Sequence, residues 1–219
     1  MPDPADGRRA VIFGARADGS ARVLLDIIRC EGRYTVVAFL DDDAARHGAA
    51  IEGLPVLGGS ERFAPLCADG VGAIAFALGA NRLRHALLDR ARSAGLEPLT
   101  AVHPRAIVAA GVPVGAGAWI AAGAVVNPGA TIGEGAVVNT GATVDHDCTI
   151  GDYANISPGC HLSGRTRIGR YAFLGTGAVT LPDAAIGDDA IVGAGAVVLK
   201  SVESGRTVGG VPARELRRP

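Results

Sequence analysis

The strongest chemical signature in this sequence is a histidine between two aspartates, His146 between Asp145 and Asp147. A carboxylate beside an imidazole can hold one ring nitrogen and leave the other free to accept a proton, which is the arrangement of a general base. Gly164 follows eighteen residues later, and a glycine admits close approach of a backbone N–H to a reacting carbonyl oxygen. An ordinary solvated histidine has the same local pattern, so these residues alone leave both interpretations open.

The elements that position His146 belong to a six-residue repeat in the second half of the chain. From Val102 to Val198, sixteen of seventeen residues in one register are aliphatic, with Thr180 as the exception, and the residues four places later are small or medium-sized. This pattern predicts a parallel β-helix with eighteen residues per coil, and its span of 97 residues predicts about five coils. Residues eighteen apart then share a corner of adjacent coils, about 5 Å apart, which places His146 beside Gly164.

The first hundred residues instead alternate apolar runs with helical segments. One apolar run ends at Gly14, a glycine loop and a helix capped by Ser20 follow, and a second apolar run ends at Asp41. This order predicts a small parallel α/β domain whose ligand lies at the carboxyl ends of the strands, near Gly14, Asp41 and Asn81. The loop does not match G-x-G-x-x-G, and a solvated turn at the aspartates fits equally well, so these residues leave nucleotide binding open.

Composition narrows the class of protein. Among 219 residues, 48% are hydrophobic and 20% charged, as in soluble globular proteins, while 32 glycines and 4% aromatics favour thin layers and tight turns. A formal charge of −1 gives no overall attraction to nucleic acid or an anionic membrane. We expect neither signal peptide nor membrane segment, and a cytoplasmic location. The four cysteines lack metal-ligand spacing, and Cys148 and Cys160 fall in the small inward register, where we expect packing.

The run from Asn139 to Gly159 closely resembles the nucleotide-sugar acetyltransferases of the PglD/NeuD type, and the likeness covers nearly the whole chain. The resemblance implies a Rossmann-like α/β domain at residues 1–100, an all-β left-handed parallel β-helix at 101–200, and a C-terminal tail near coenzyme A at 201–219. It also implies a homotrimer with active sites between subunits and a place in glycan biosynthesis. The segments that carry it are Ile12-Phe13-Gly14-Ala15, Phe39-Leu40-Asp41-Asp42, Leu57-Gly58, His103-Pro104, Asp145-His146-Asp147-Cys148 and Val208-Gly209-Gly210-Val211-Pro212-Ala213-Arg214.

The resemblance implies roles by position. His146 is the base that takes a proton from the sugar amine as the amine attacks the thioester of acetyl-CoA, Asp147 orients the imidazole, and Gly164 donates its N–H to the thioester oxygen. Acetyl-CoA is a co-substrate, and no metal is expected. The residues expected to contact acetyl-CoA are Gly164, Asn155, Lys200, Val211, Pro212, Ala213 and Arg214. The residues expected to contact the nucleotide-activated amino sugar are Gly14, Ala15, Asp41, Asp42 and Asn81.

Two departures from the family pattern affect these expectations. The first loop reads Gly19-Ser20-Ala21-Arg22 where the family often has histidine in place of serine, so contacts made by that histidine are lost. Asn155 stands where some members carry a histidine that touches acetyl-CoA, and asparagine keeps a hydrogen-bond donor.

Other functions remain open at this level. The same base would serve O-acetylation of a sialic acid or another sugar hydroxyl. A trimeric nucleotide-sugar-binding scaffold without activity is a further alternative. The carbonic-anhydrase-like branch of this fold needs three zinc histidines, whereas the repeat after the junction at His103 holds only His146 and His161.

Overall fold

The computed structural model describes residues 8–16 and 19–216. The chain divides into two compact units, with the boundary in the sequence between His103 and Pro104. Ala17 and Asp18 of the glycine loop lie outside the described residues, as do the last three residues of the predicted C-terminal tail. Within the described residues, no helix is long and apolar enough to cross a membrane.

The first unit is an α/β domain built on a four-stranded sheet in which every pair of neighbouring strands is parallel, in the order β2 (Tyr34–Leu40), β1 (Arg8–Phe13), β5 (Ala73–Phe76) and β6 (Glu97–Pro98). The helices are α1 (Ser20–Glu31), α2 (Phe63–Ala68) and α3 (Asn81–Ser93). The strands are β1 (Arg8–Phe13), β2 (Tyr34–Leu40), the hairpin β3 (Ala50–Ile51) and β4 (Leu54–Pro55), β5 (Ala73–Phe76), β6 (Glu97–Pro98) and β7 (Ala101–Val102).

Helix α1 shows how the sequence builds this unit. Its apolar residues recur at helical spacing, so one face is buried, with Leu24 and Ile28 fully inaccessible to solvent. The helix ends at Gly32, whose φ of 74° is the left-handed conformation that terminates many helices. The predicted serine cap is wrong, since Gly19 is the N-cap residue and Ser20 is the first helical residue. The Ser20 hydroxyl does not cap the helix and instead donates to the Ala77 carbonyl at 3.3 Å.

The strand order creates a crevice at one edge of the sheet. Strand β1 lies between β2 and β5 in the sheet. The connection from β1 leads to β2 on one side, and the later strand β5 lies on the other side, so the strand order reverses at β1. In open α/β sheets, ligands bind at such a reversal, outside the carboxyl ends of the strands. Gly14 ends β1 here with φ of 102°, and a Cβ on it would lie 2.7 Å from the Ala77 carbonyl oxygen. Only glycine therefore lets these two loops approach so closely.

The second unit is the predicted left-handed β-helix, with about six turns. Its strands are mostly two residues long, and those from β8 to β22 pair in parallel with strands eighteen residues away, as Thr143 does with both Val125 and His161. The strands are β8 (Ile107–Val108), β9 (Trp119–Ile120), β10 (Val125–Val126), β11 (Thr131–Ile132), β12 (Val137–Val138), β13 (Thr143–Val144), β14 (Thr149–Ile150), β15 (Asn155–Ile156), β16 (His161–Leu162), β17 (Arg167–Ile168), β18 (Phe173–Leu174), β19 (Val179–Thr180), β20 (Ala185–Ile186), β21 (Ile191–Val192), β22 (Val197–Val198), β23 (Thr207–Gly209) and β24 (Arg214–Glu215).

Three parallel sheets form the sides of the coil. One contains β8, β10, β13, β16, β19 and β22, the second β11, β14, β17 and β20, and the third includes β9, β12, β15, β18, β21 and β23. The solenoid is longer than the predicted five coils because β23 still pairs with β21 after the hexapeptide spacing is lost, with Thr207 opposite Ile191. Strand β24 then closes this sheet by antiparallel pairing.

The solenoid core follows the two predicted registers. Aliphatic and small residues fill the interior, and the predicted packing of Cys148 and Cys160 is confirmed, since neither is accessible to solvent. Burial raises the pKa of the Cys160 thiol to about 11, which keeps it protonated. Two hydroxyl residues, Thr166 and Thr180, are also fully buried in this core.

Candidate active site

His146 lies at an exposed corner between β13 and β14. Its Nδ1 is 2.8 Å from Asp147 Oδ2, and the two side chains are 49% and 62% exposed. When the carboxylate accepts the Nδ1 proton, the lone pair of the imidazole is on Nε2. The pair therefore has the geometry of a base held in one tautomer by its neighbour.

Gly164 lies directly against this imidazole. A Cβ at Gly164 would be 2.5 Å from His146 Nε2 and 2.7 Å from its Cε1. The adjacency predicted from the eighteen-residue period is thus confirmed, and it requires glycine for lack of space. The Gly164 carbonyl accepts from Asp183 N at 3.0 Å, while Arg165 N donates to the His146 carbonyl at 2.9 Å, so the backbones of adjacent coils are tied together at this corner.

Asp145 holds the backbone of the corner. Its Oδ1 accepts from His146 N and from Asn127 Nδ2, both at 2.8 Å. The Asn127 hydrogen bond is the largest effect that lowers the pKa of Asp145, followed by the His146 N–H, and the Gly164 N–H also contributes. The Gly164 N–H therefore faces the Asp145 carboxylate.

Two residues of this corner were not predicted from the sequence. Asn127 supports Asp145 from the coil below, and Gly129 lies beneath Asp147, where an added Cβ would collide with the Asp147 carboxylate. Each stands eighteen residues before the residue it serves. Applying the coil period backward from the aspartates would have identified both, as applying it forward from His146 identified Gly164.

An ion pair continues this corner into the following coils. Arg165 stands eighteen residues after Asp147, and its Nε and Nη2 donate to Asp183 at 2.7 and 2.9 Å. The carboxylate raises the pKa of Arg165, and the guanidinium lowers the pKa of Asp183. Both Asp147 and Arg165 adopt left-handed backbone conformations, with φ of 58° and 59°, which fixes the direction in which their side chains leave the corner.

Three of the predicted nucleotide residues, Gly14, Ala15 and Asp41, come together at the crevice, where the Asp41 side chain holds the loops. Asp41 is buried, and its carboxylate accepts from Ala15 N at 2.8 Å, from Asp43 N at 3.0 Å and from Arg46 Nη1 at 2.8 Å. Burial raises the pKa of Asp41, but these donors outweigh it and the net pKa is lowered. Asp41 therefore ties the loop after β1 to the loop after β2.

Asp42 and Asn81 flank the same region. Asp42 Oδ1 accepts from Ser60 N at 2.7 Å, which fixes the segment that leads into α2. Asn81 is the first residue of α3 and is buried, at 9% exposed. Any contact of these residues with a nucleotide stays a prediction.

The predicted coenzyme residues fall into two groups. Asn155 is only 8% exposed, and its Oδ1 has no hydrogen-bond partner among the described residues. Lys200, Ala213 and Arg214 line one surface cavity of about 550 Å³ near the C-terminal end of the solenoid. Val211 is 74% exposed, and the Val211-Pro212 peptide bond is cis. The structure does not place Asn155 with the cavity residues or with His146.

Within residues 8–16 and 19–216, one group has the side chains for a metal ion, namely Asp26, Cys30 and His103, whose ligand atoms lie within 4.8 Å of one another. His103 is buried and its Nε2 is 3.6 Å from Asp26 Oδ2. The group belongs to the first unit and includes no residue of the His146 corner. His161, the other histidine of the repeat, instead contacts Thr143 Oγ1 through Nδ1 at 3.0 Å.

Comparison with known proteins agrees with this geometry. Residues 9–91 match the family described as the PglD N-terminal domain. Residues 129–164 and 165–200 match the bacterial transferase hexapeptide repeat, and residues 105–128 match the hexapeptide repeat of succinyl-transferase.

The acetyltransferase domain of PglB from Neisseria gonorrhoeae FA1090 is 36% identical, with 96% of this chain and 100% of that chain covered and a TM-score of 0.88. This protein belongs to the PglD/NeuD-type hexapeptide-repeat acyltransferases. PerB from Caulobacter crescentus, solved in complex with CoA and GDP-perosamine, is 38% identical over 95% of this family member and 97% of PerB, with a TM-score of 0.89. WeeI from Acinetobacter baumannii AYE is 30% identical over 94% and 99% of the two chains, with a TM-score of 0.84.

A shorter match involves the probable polysaccharide biosynthesis protein EpsC from Bacillus subtilis (strain 168). It is 42% identical over 57 residues and covers 26% of this acyltransferase but only 10% of EpsC. Because so little of EpsC is covered, its activity is not assigned to this chain.

Proposed function

We propose that this acyltransferase moves the acetyl group of acetyl-CoA to the amino group of a nucleotide-linked amino sugar, with His146 as the general base. The contact between His146 and Gly164 carries the proposal, because it places a proton acceptor and a backbone donor at one corner. The hydrogen bond from His146 to Asp147 supplies the orientation that a base requires. The complex of PerB with CoA and GDP-perosamine supports this class of substrates.

The reaction needs one proton acceptor and one oxyanion donor. The sugar amine attacks the thioester carbonyl carbon while its proton passes to His146 Nε2, and the carbonyl oxygen gains the negative charge. The Gly164 N–H stabilises that charge, which is the role of an oxyanion hole. The C–S bond then breaks, the proton on His146 passes to the departing CoA thiolate, and the products are an N-acetyl sugar and CoA.

The proposed reaction also requires a nucleotide site, a coenzyme site and an assembly that holds them. The crevice between the loops after β1 and β5 binds the nucleotide, with Gly14, Ala15, Asp41, Asp42 and Asn81 as its residues, and the ordered Asp41 carboxylate shapes the loops. Lys200 and Arg214 of the C-terminal cavity bind the phosphates of CoA, while Arg206 of the same cavity is paired with Glu203 and Glu215. The protein acts as a cytoplasmic homotrimer, with Asn155 contacting the coenzyme. Light scattering of the purified protein tests the trimer, which a monomeric mass would refute.

The decisive experiment replaces His146 with alanine and measures CoA release with a panel of UDP-, GDP- and dTDP-linked amino sugars. Loss of a general base lowers kcat by about 10²–10⁴-fold. The matched control is His161→Ala, since His161 lies in the same solenoid and contacts Thr143. A His146→Ala enzyme with wild-type turnover would exclude this residue as the base. The same panel, extended to sialic acids and mass analysis of the product, separates N-acetylation from O-acetylation.

A further inference from the structure

The single exception to the aliphatic register, Thr180, lies in the core immediately behind the active-site corner. Thr180 and Thr166 are both fully buried, and their hydroxyl oxygens are 3.0 Å apart. Both contact Ser163, the residue before Gly164. A buried hydroxyl is unfavourable in an apolar core unless it is hydrogen-bonded, so a paired hydroxyl network at this place needs a reason.

Thr180 replaces the regular backbone hydrogen bond of Ser163 N with a bond to its own side chain. At equivalent corner positions in other coils, the backbone N–H bonds to the carbonyl of the inward residue one coil above, as from Asn127 to Val144, from Asp145 to Leu162 and from Leu181 to Val198, at 2.9 to 3.1 Å. Ser163 N instead donates to Thr180 Oγ1 at 3.2 Å, and Ser163 Oγ donates to the Thr180 carbonyl at 2.7 Å. The threonine side chain thus replaces one ladder bond.

The hydroxyls form a closed chain that begins and ends on the Ser163 backbone. Thr166 Oγ1 donates to the Ser163 carbonyl at 2.7 Å, so its only proton is used and the Thr180 hydroxyl is the donor between the two threonines. Thr180 Oγ1 in turn accepts from Ser163 N. Cys148 Sγ also donates to the Ser163 carbonyl, at 3.3 Å.

Peptide geometry connects this chain to the active site. The Ser163 carbonyl and the Gly164 N–H belong to one planar trans peptide group and point in opposite directions. The Ser163 carbonyl accepts the turn bond from Thr166 N at 3.3 Å, as carbonyls at other corners do, and here the buried Thr166 Oγ1 and Cys148 Sγ donate to it as well, so the Gly164 N–H of the same peptide points to the opposite side.

We infer that Thr180 and Thr166 are positioning residues that set the direction of the Gly164 N–H for stabilisation of the thioester oxyanion. The inference rests on the proposed function of Gly164. It explains why a hydroxyl residue stands at Thr180 in a register that is otherwise aliphatic. The threonines act through the Ser163 peptide, and the substrate meets only the Gly164 N–H.

The test compares Thr180→Val with Thr180→Ser. Valine restores the aliphatic register and lets Ser163 N form the regular ladder bond, so we expect an unchanged or higher Tm with kcat lowered by about 10-fold to 10²-fold, the scale of a small misplacement of a catalytic group. Serine keeps the hydroxyl and loses a methyl group, so we expect a lower Tm with kcat within about 3-fold of wild type. The KM for the nucleotide sugar stays unchanged in both variants, because neither side chain is exposed.

The opposite order of stability and rate is the critical result, because a purely structural role would lower both together. Ile186→Val is the matched control, since it removes one carbon from another inward position, and it should lower Tm without changing kcat. If Thr180→Val keeps wild-type kcat while His146→Ala does not, the inference fails and the proposed function stands. Crystal structures provide a readout that does not depend on activity: a 163–164 peptide plane unchanged in Thr180→Val would also overturn the inference.

Discussion

Replacing Gly164 with alanine tests the active-site corner with a single methyl group. Gly164 does not have the left-handed φ that would strain alanine, so the main effect of the new Cβ is its contact with His146. That Cβ would lie 2.5 Å from Nε2, whereas ordinary contacts begin at 3.4 Å, so the ring must move by about 1 Å or rotate away from Asp147. A misplacement of this size costs about 10²-fold in rate, or about 2.7 kcal/mol of transition-state stabilisation.

The assay is steady-state CoA release, with thermal unfolding of the same preparations. We expect Gly164→Ala to fold and to lose about 10²-fold in kcat. Gly193→Ala is the matched control, because Gly193 lies in the same solenoid and its added Cβ would make only ordinary contacts, at 3.4 Å from the Val208 carbonyl and 3.5 Å from Gly209 Cα. If both variants turn over within about 3-fold of wild type, the close packing of Gly164 on the imidazole does not matter for the reaction.

Three further predictions follow from other contacts. Gly129→Ala would force the Asp147 carboxylate from its place, and with φ of 77° at this glycine we expect lower stability as well as about 10-fold lower kcat. Asp41→Asn removes the charge that holds three donors, and we expect it to lower the free energy of unfolding by about 1.5–3 kcal/mol at pH 7. Because the folded-state pKa of Asp41 is below its ordinary value of 3.8, this stabilisation is complete above pH 3.8 and is lost as pH falls through the folded pKa, so the difference between variant and wild type narrows there. Among the thiols, exposed Cys30 should react with an alkylating reagent at pH 7.5 much faster than Cys160, whose pKa is raised to about 11 by burial.

Each of these has its own measurement. For Gly129→Ala, unchanged kcat in a destabilised protein would show that the Asp147 carboxylate does not need its present position. For Asp41→Asn, denaturant unfolding at several pH values is the measurement, and a difference that stays constant through acid pH would contradict the linkage. For the thiols, mass spectrometry of the labelled peptides gives the rates, and fast labelling of the buried thiol in native protein would show that the solenoid core opens.

Part of the active-site corner could be predicted from the sequence, and part could not. A strict eighteen-residue coil converts distance along the sequence into contact, so the meeting of His146 and Gly164 followed from counting. The spacing left both Asp145 and Asp147 beside the histidine and the family resemblance named Asp147, which is the one that contacts the ring. The left-handed backbone at Asp147, with φ of 58°, turns its carboxylate toward Nδ1, whereas Asp145 bonds to the His146 N–H.

The first unit was less predictable because its contacts join loops of unrelated spacing. Its strand and helix order could be deduced from alternating apolar runs and helical segments. The use of Asp41 could not, since its partners Ala15 and Arg46 come from two different loops. The strand order that makes the crevice is likewise a result of long-range pairing.

The sequence by itself determined the solenoid, its inward residues and the identity of the corner that holds His146, because a periodic backbone repeats one local geometry. The tertiary structure decided how each aspartate acts, with Asp147 on the imidazole and Asp145 on the His146 N–H, and what the exceptional Thr180 does. Both depend on the direction of individual peptide groups and side chains, which a period does not specify. Thr180 breaks the pattern in the sequence, and only the hydrogen bonds to Ser163 connect that break to the active site.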